Sequence, residues 1–270
     1  MDNRPIGVMD SGVGGLTVLK EIIKSLPNES YIFIGDQANL PYGQKRPELV
    51  RQLTERIANY LVAQDVKLFV IACNTATAAA LDYLRQRLPI PVIGVIQPGA
   101  ESAARQSKTH RVGVIATNGT VQSGDYQRII KQSLTDATVY SLGCPDFVTM
   151  VEHGDAGKAE TQKRVTQQLA YFSDKSIDSL VLGCTHFPVL QREIQRALPK
   201  GVRLIDPGIS TAQHIVDYLS QHDQLREAEA GKPVRQFFTT GEPAEFARVA
   251  DQLLKRQIHA DHLNLGKADV

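Results

Sequence analysis

Short apolar segments separated by helix-like stretches recur along the whole chain of 270 residues. These segments are continuously apolar, which is typical of strands buried on both faces of a sheet. The predicted strands are Ile6–Met9, Tyr31–Ile34, Leu68–Ala72, Val92–Val95, Val112–Ala116, Val139–Leu142, Leu180–Leu182, Val202–Ile205 and Gln236–Thr239. Strands that alternate with helices predict an α/β fold with doubly wound parallel sheets, in which ligands bind beyond the carboxyl ends of the strands.

The order of these segments repeats once within the chain. The matching pairs are Ile6–Ser11 with Arg111–Thr117, Ile34–Asp36 with Leu142–Cys144, and Val70–Thr75 with Val181–His186. Because the matches keep the same order, the sequence predicts two similar α/β domains related by a pseudo-twofold axis, with the active site in the cleft between them. Pro-Gly pairs suited to linkers place the first domain at residues 1–98 plus 208–270 and the second at residues 99–207.

Charge and cysteine content exclude several classes of protein. Thirty basic and 29 acidic side chains leave a formal net charge of +1, whereas a general nucleic-acid surface needs an excess of positive charge. No apolar run approaches the ~20 residues of a membrane span, and the first strand begins too early to leave room for a signal peptide. Three cysteines form no disulfide framework, and no CxxC or HExxH pattern indicates a metal site. We therefore expect a cytoplasmic protein without a metal.

Two cysteines occupy equivalent places in the repeat. Cys73 and Cys184 each end a buried strand and are each expected to precede a helix. A helix N-terminus lowers the pKa of a thiol. A single cysteine there is readily explained as a small buried apolar residue, but two at equivalent positions favour chemistry. One thiol removing a proton from a carbon while the other delivers a proton to the opposite face is what stereochemical inversion requires.

Polar side chains after other predicted strands are further candidates. Asp10-Ser11 opens a glycine-rich turn that lacks the dinucleotide fingerprint, because Thr17 stands where glycine is needed. This favours an anion-binding turn, with Asp10 as a helix N-cap the alternative. The second half offers Thr117, Asn118 and Thr120 at the corresponding place. Pro41-Tyr42-Gly43 is either a plain turn or a segment that closes over a ligand. Cys144 aligns with Asp36, and we interpret it as structural.

Together these residues resemble the glutamate racemases, cofactor-independent amino-acid racemases of bacterial cell-wall synthesis. The resemblance covers nearly the whole chain, and its segments are Gly7–Gly15, Asp36 with Pro41-Tyr42-Gly43, Ala72–Ala76, Ala116-Thr117 with Thr120, and Leu182–Pro188. It implies proton transfer by Cys73 at D-glutamate and by Cys184 at L-glutamate. It also implies that Asp10 and His186 assist these thiols and that Glu152 lies near the second one. The implied substrate-binding residues are Asp10, Ser11, Pro41, Tyr42, Gly43, Asn74, Thr75, Thr117, Asn118, Thr120, Thr185 and His186.

The function implied by this resemblance is interconversion of L- and D-glutamate, which supplies D-glutamate for peptidoglycan. Glutamate would be the small-molecule substrate, without pyridoxal phosphate, metal or nucleotide, and a homodimer is one assembly to expect. Three alternatives stay open from the residues alone. They are a racemase for aspartate or another acidic amino acid, a two-lobed amino-acid binding protein, and a cysteine hydrolase that uses one thiol with a histidine partner.

Overall fold

The computed structural model describes residues 1–227 and 229–266. The strands are β1 (Ile6–Asp10), β2 (Tyr31–Gly35), β3 (Leu68–Ile71), β4 (Val92–Gly94), β5 (Arg111–Ala116), β6 (Thr138–Gly143), β7 (Ser179–Gly183), β8 (Arg203–Ile205), β9 (Arg235–Thr239) and β10 (Asp261–His262). The α-helices are α1 (Leu16–Ser25), α2 (Pro47–Ala63), α3 (Asn74–Arg85), α4 (Ile96–Gln106), α5 (Asn118–Ser123), α6 (Asp125–Ser133), α7 (Pro145–Glu152), α8 (Ala159–Leu169), α9 (Gln191–Ala197), α10 (Pro207–Gln221) and α11 (Pro243–Leu254).

The chain divides into two compact units. Unit 1 comprises Met1–Val95 together with the segment that begins at Gly208, and unit 2 comprises Ile96–Pro207. The nine strands expected from the sequence are all present, and the predicted α/β class with parallel sheets is confirmed. Strand β10 was not predicted, because its two exposed residues carry no apolar pattern. Among the described residues, no helix is both long and apolar enough to cross a membrane.

Unit 1 is built on a parallel sheet with the strand order β10-β9-β2-β1-β3-β4. One face packs against α1, α10 and α11, and the other against α2 and α3. Both faces are therefore covered, which is why its central strands are continuously apolar. The register pairs Asp10 with Gly35 and Met9 with Ile71. The residues that follow β1, β2 and β3 thus emerge at one edge of the sheet.

Unit 2 contains a smaller parallel sheet with the order β6-β5-β7-β8. This order repeats that of β2-β1-β3-β4 in unit 1, which agrees with the internal repeat seen in the sequence. Buried apolar side chains of α7, α8 and α9 form a core with β7. The register pairs Ala116 with Gly183 and with Gly143. The residues after β5, β6 and β7 therefore also emerge at one edge of their sheet.

The two Pro-Gly pairs are not linkers. Pro98 and Gly99 lie in the first turn of α4, and Pro207 and Gly208 begin α10. The units divide after Val95 and after Pro207, so the second boundary lies where it was predicted and the first lies before residue 98. Proline fits the first turn of a helix because the amide hydrogen it lacks has no partner there in any case. A Cβ atom at Gly99 would lie 2.8 Å from Cβ of Pro207. The pairs therefore mark helix starts and one close packing contact.

Candidate active site

Cys73 of unit 1 lies at the start of α3. It is the N-cap of that helix, and its Sγ accepts a hydrogen bond from the Ala76 N–H at 3.5 Å. The same sulfur lies 3.7 Å from Ser11 Oγ, at the neighbouring strand end. Asn74 and Thr75 form the first turn of α3 and are buried. A sulfur at a helix N-terminus is in a position that favours the thiolate. The predicted strand–cysteine–helix order is correct here.

The Asp10 carboxylate is enclosed by the turn that follows β1. Its Oδ2 accepts the Gly12 N–H at 3.0 Å, and the residue is completely buried. The N-cap of α1 is Gly15, and no side chain caps the helix. The alternative interpretation of Asp10 as a helix N-cap is therefore wrong. A Cβ atom at Gly15 would lie 2.4 Å from Cβ of Asp10. Glycine is therefore required at this position for the turn to close over the carboxylate.

Tyr42 turns its side chain inward from the segment after β2. Its hydroxyl donates to Asp36 Oδ2 at 2.5 Å, and Thr240 donates to Asp36 Oδ1 at 2.6 Å. Burial, followed by the charge of Asp36, raises the pKa of Tyr42 well above its ordinary value, so the phenol remains a donor. Pro41 and Gly43 are partly exposed on either side. The whole of Tyr42 is therefore buried between two partly exposed neighbours.

Cys184 of unit 2 differs from Cys73 in its local structure. It follows β7, but the next segment is a turn and a 3₁₀ helix at Phe187–Leu190, and α9 begins only at Gln191. The Phe187 N–H donates to the Cys184 carbonyl at 3.1 Å. Cys184 therefore precedes a helix as expected, but Thr185 and His186 form a turn between the two. The sulfur at this site is adjacent to a histidine ring.

His186 connects Cys184 to Glu152. Its Nδ1 lies 3.7 Å from Cys184 Sγ, and its Nε2 is hydrogen-bonded to Glu152 Oε1. Burial disfavours the charged ring, but the hydrogen bonds to Cys184 and Glu152 outweigh it and raise the pKa of His186 well above its ordinary value. Glu152 is the last residue of α7 and does not lie on a solvated helix face. Cys184, His186 and Glu152 thus form one connected group, which we call the Cys184 triad.

The predicted polar residues of unit 2 lie at the start of α5. Thr117 is its N-cap, and Thr117 Oγ1 accepts the Thr120 N–H at 3.4 Å and lies 3.1 Å from Thr120 Oγ1. Asn118 is exposed, and its Oδ1 would lie 2.1 Å from a Cβ atom at Gly143. Thr185 is buried beside Cys184. These hydroxyl and amide groups therefore share a sheet edge with the Cys184 triad.

Cys144 has the structural character expected of it. It is completely buried at the start of α7, and its thiol points at the Leu142 carbonyl at 3.8 Å. Burial, with smaller contributions from the charges of Asp146 and Cys184, raises the pKa of Cys144 to about 12. This thiol therefore stays protonated near neutral pH.

Two residues near the thiols were not assigned a role from the sequence. Asp36 fixes the Tyr42 ring. Its position directly after β2 could have pointed to it, just as the position of Asp10 at the end of β1 did for that residue. Tyr126 of α6 packs on the end of β7, where a Cβ atom at Gly183 would lie 3.1 Å from its ring. No sequence pattern points to Tyr126, because its contact arises from packing between distant segments. Within residues 1–227 and 229–266, no cluster of three or more histidine, cysteine or acidic side chains has a metal-binding arrangement.

Comparison with known proteins gives consistent matches. Residues 6–215 match the family model for Asp/Glu/hydantoin racemases. The glutamate racemase of Levilactobacillus brevis is 48% identical over 269 residues, covering 99% of this chain and 97% of the relative. That of Pediococcus pentosaceus is 43% identical over 265 residues, covering 98% of this chain and 100% of the relative.

Solved structures give the same result. A glutamate racemase isoform from Bacillus anthracis superimposes with a TM-score of 0.94 at 39% identity, covering 98% of this chain and 99% of that one. The glutamate racemase of Francisella tularensis, solved in complex with D-glutamate, gives 0.91 at 36% identity with the same coverage. The aspartate racemase of Picrophilus torridus gives 0.59 at 16% identity, covering 80% of this chain and 94% of that one. That last match shows a shared fold alone.

Proposed function

The chain belongs to the Asp/Glu/hydantoin racemase family, and on this premise we propose that it interconverts L-glutamate and D-glutamate by proton transfer between two thiols and the α-carbon. The activity is that of an isomerase. The observation that carries the mechanism is that a cysteine follows the equivalent strand, β3 or β7, in each of two sheets with the same strand order. The full-length similarity to glutamate racemases supports glutamate as the substrate.

Inversion of an α-carbon needs an acid and a base on opposite faces. With L-glutamate, the Cys184 thiolate takes the α-proton and the Cys73 thiol gives its proton to the other face. With D-glutamate the two exchange roles, so each turnover leaves one thiol and one thiolate, with their positions interchanged. A sulfur base suits this task because its protonation is readily adjusted near neutral pH.

We assign assisting roles in proton transfer to the side chains around the two thiols. His186, held protonated, stabilises the thiolate of Cys184, and Glu152 stabilises and orients the imidazolium ring. Asp10 assists Cys73 from the neighbouring strand end in unit 1, and Ser11 Oγ lies against the same sulfur. The proposed catalytic group consists of the proton-transfer pair, Cys73 and Cys184, together with Asp10, His186 and Glu152.

Substrate binding uses the polar groups at the two sheet edges. The first turns of α3 and α5 present amide hydrogens of the kind that bind carboxylates at helix N-termini. The hydroxyls of Ser11 and Thr185 add donors. Such fixed donors stabilise the charge that develops on the substrate when the α-proton leaves. The further proposed binding residues are Pro41, Tyr42, Gly43, Asn74, Thr75, Thr117, Asn118, Thr120 and His186.

The cellular role follows from the product. D-glutamate is a building block of peptidoglycan, so we place the activity in cell-wall synthesis and the maintenance of cell shape, in the cytoplasm. The reaction as written needs no cofactor, because both protons are carried by the protein. A homodimer is the proposed assembly, and the formal net charge of +1 favours no nucleic-acid partner.

Substitution of each thiol tests the proposal. Racemisation of L- and D-glutamate is followed by circular dichroism for the wild type and for the variants Cys73→Ser, Cys184→Ser and Cys144→Ser. We expect both of the first two variants to lose racemisation and the third to retain it. Near-normal turnover by either of the first two would contradict the two-thiol mechanism. Faster turnover of aspartate than of glutamate by the wild type would contradict the substrate.

A further inference from the structure

Glu193 of α9 is a buried carboxylate outside the proposed catalytic group. The residue is only 5% exposed, and its Oε1 accepts the Gly157 N–H at 2.7 Å. Its carbonyl also accepts the Gln162 side-chain amide at 3.1 Å. Burial of a carboxylate costs free energy that its hydrogen bonds must offset. Gly157 is itself exposed, so this hydrogen bond joins a buried carboxylate to a surface loop.

The segment held by Glu193 directly follows Glu152. Gly154 and Gly157 both have positive φ, 70° and 86°, and glycines in such a loop leave the backbone free to move. On one side the segment is attached to the end of α7 by the bond from the Asp155 N–H to the Met150 carbonyl at 2.9 Å. The bond to Glu193 holds the other side against α9. The segment between Glu152 and α8 is therefore attached to α7 on one side and to α9 on the other.

Glu152 lies where this segment begins. Glu152 is the last residue of α7, and its side chain is 22% exposed, whereas that of its partner His186 is 3% exposed. If the loop moved outward, Glu152 would gain solvent and leave the ring. The imidazolium would then lose the carboxylate that stabilises it beside Cys184.

We propose that Glu193 is a positioning residue for the Cys184 triad, acting through the Gly157 amide and the end of α7. This inference rests on the proposed function for its consequence in turnover. Its structural part concerns only the reactivity of Cys184, which can be measured without turnover. Loss of the acceptor at position 193 lowers the reactivity of Cys184 toward alkylation, and a neutral acceptor of the same size preserves it.

A matched pair of substitutions tests the role of the acceptor. Glu193→Gln keeps a side-chain oxygen for the Gly157 amide, whereas Glu193→Leu keeps comparable bulk without it. Glu160→Leu, in the exposed first turn of α8, is the control. The readout is the alkylation rate of Cys184 by iodoacetamide between pH 6 and pH 9. The tryptic peptide from Ser176 to Arg192 reports it, because this peptide contains neither of the other cysteines.

We expect Glu193→Leu to slow alkylation of Cys184 at pH 7 about tenfold, the factor equivalent to about one lost hydrogen bond. Glu193→Gln and the control should stay close to the wild type, and racemisation should follow the same order. An unchanged Cys184 profile in Glu193→Leu would overturn the inference, as would equal slowing in both position-193 variants. Alkylation does not require turnover. A wild type that fails to racemise glutamate contradicts the proposed function alone.

Discussion

Replacement of His186 by glutamine tests the electrostatic basis of the Cys184 triad. The imidazolium Nδ1 lies 3.7 Å from the sulfur of Cys184. At that separation two unit charges attract by about 4 kcal/mol if the effective dielectric constant is about 20. Both side chains are buried, so solvent screens little of this attraction in the wild type. Glutamine removes the charge and keeps a polar side chain of similar reach.

Part of this energy is recovered when water enters the altered site. We therefore expect His186→Gln to slow the alkylation of Cys184 at pH 7 by about 100-fold, which corresponds to somewhat under 3 kcal/mol. Because the two enantiomers of glutamate have equal free energy, kcat/KM must fall by the same factor in both directions. The assays are peptide-resolved alkylation and racemisation from each enantiomer. His153→Gln, which alters the exposed neighbour of Glu152, serves as the control. An alkylation rate of Cys184 that is unchanged in His186→Gln would refute the argument.

The same interaction makes stability depend on pH. The pKa of His186 is well above its ordinary value of 6.5 in the folded protein, so protonation favours the folded state. This contribution is complete below pH 6.5 and is lost as the pH rises through the folded-state value. The unfolding free energy of the wild type, measured in urea, should therefore exceed that of His186→Gln by more at pH 6.5 than at pH 9. A difference that grows with pH would contradict this sign.

Two further substitutions test the packing that holds the site. Gly15→Ala forces a Cβ atom to within 2.4 Å of Cβ of Asp10, and we expect a loss of about 1–3 kcal/mol in the unfolding free energy. An unchanged urea midpoint would show that the turn has room to adjust. Lys67→Met leaves Glu29 buried without the ammonium group now 2.7 Å away, and we expect a loss of about 3–5 kcal/mol. The exposed control Lys24→Met should cost less than about 1 kcal/mol, and equal losses in the two lysine variants would contradict the burial argument.

The fold could be predicted because its main signals are local. Buried parallel strands are continuous apolar runs, and the repeat of strand order left its mark in matching short segments. Strand β10 lacks such a run and is defined only by its pairing with β9. The Pro-Gly pairs do lie near the unit boundaries, but their interpretation as linkers was wrong for a related reason. The same two residues suit a linker and the first turn of a helix, and only the hydrogen bonds of the following turns distinguish the two.

The site was predictable to the extent that it follows strand ends. Cys73 and Asp10 were found in this way, and both lie at the edge expected of them. The triad contact between His186 and Glu152 joins residues 34 positions apart in the chain, and no spacing rule reveals it. The sequence also did not predict that the two cysteines have different environments. Thr185 and His186 make a turn where Asn74 and Thr75 begin a helix, so a cation replaces the helix N-terminus as the neighbour of the second sulfur.

The most direct measurement of the two-thiol mechanism is the early distribution of deuterium. L-glutamate is incubated with the wild type in D₂O. At low conversion the two enantiomers are separated, and the deuterium content of each is measured by mass spectrometry. The mechanism predicts that D-glutamate carries one deuterium at the α-carbon while the remaining L-glutamate carries almost none, because the incoming proton comes from the other sulfur. Product that retains the original hydrogen, or L-glutamate that exchanges as fast as product forms, would show that one base serves both faces.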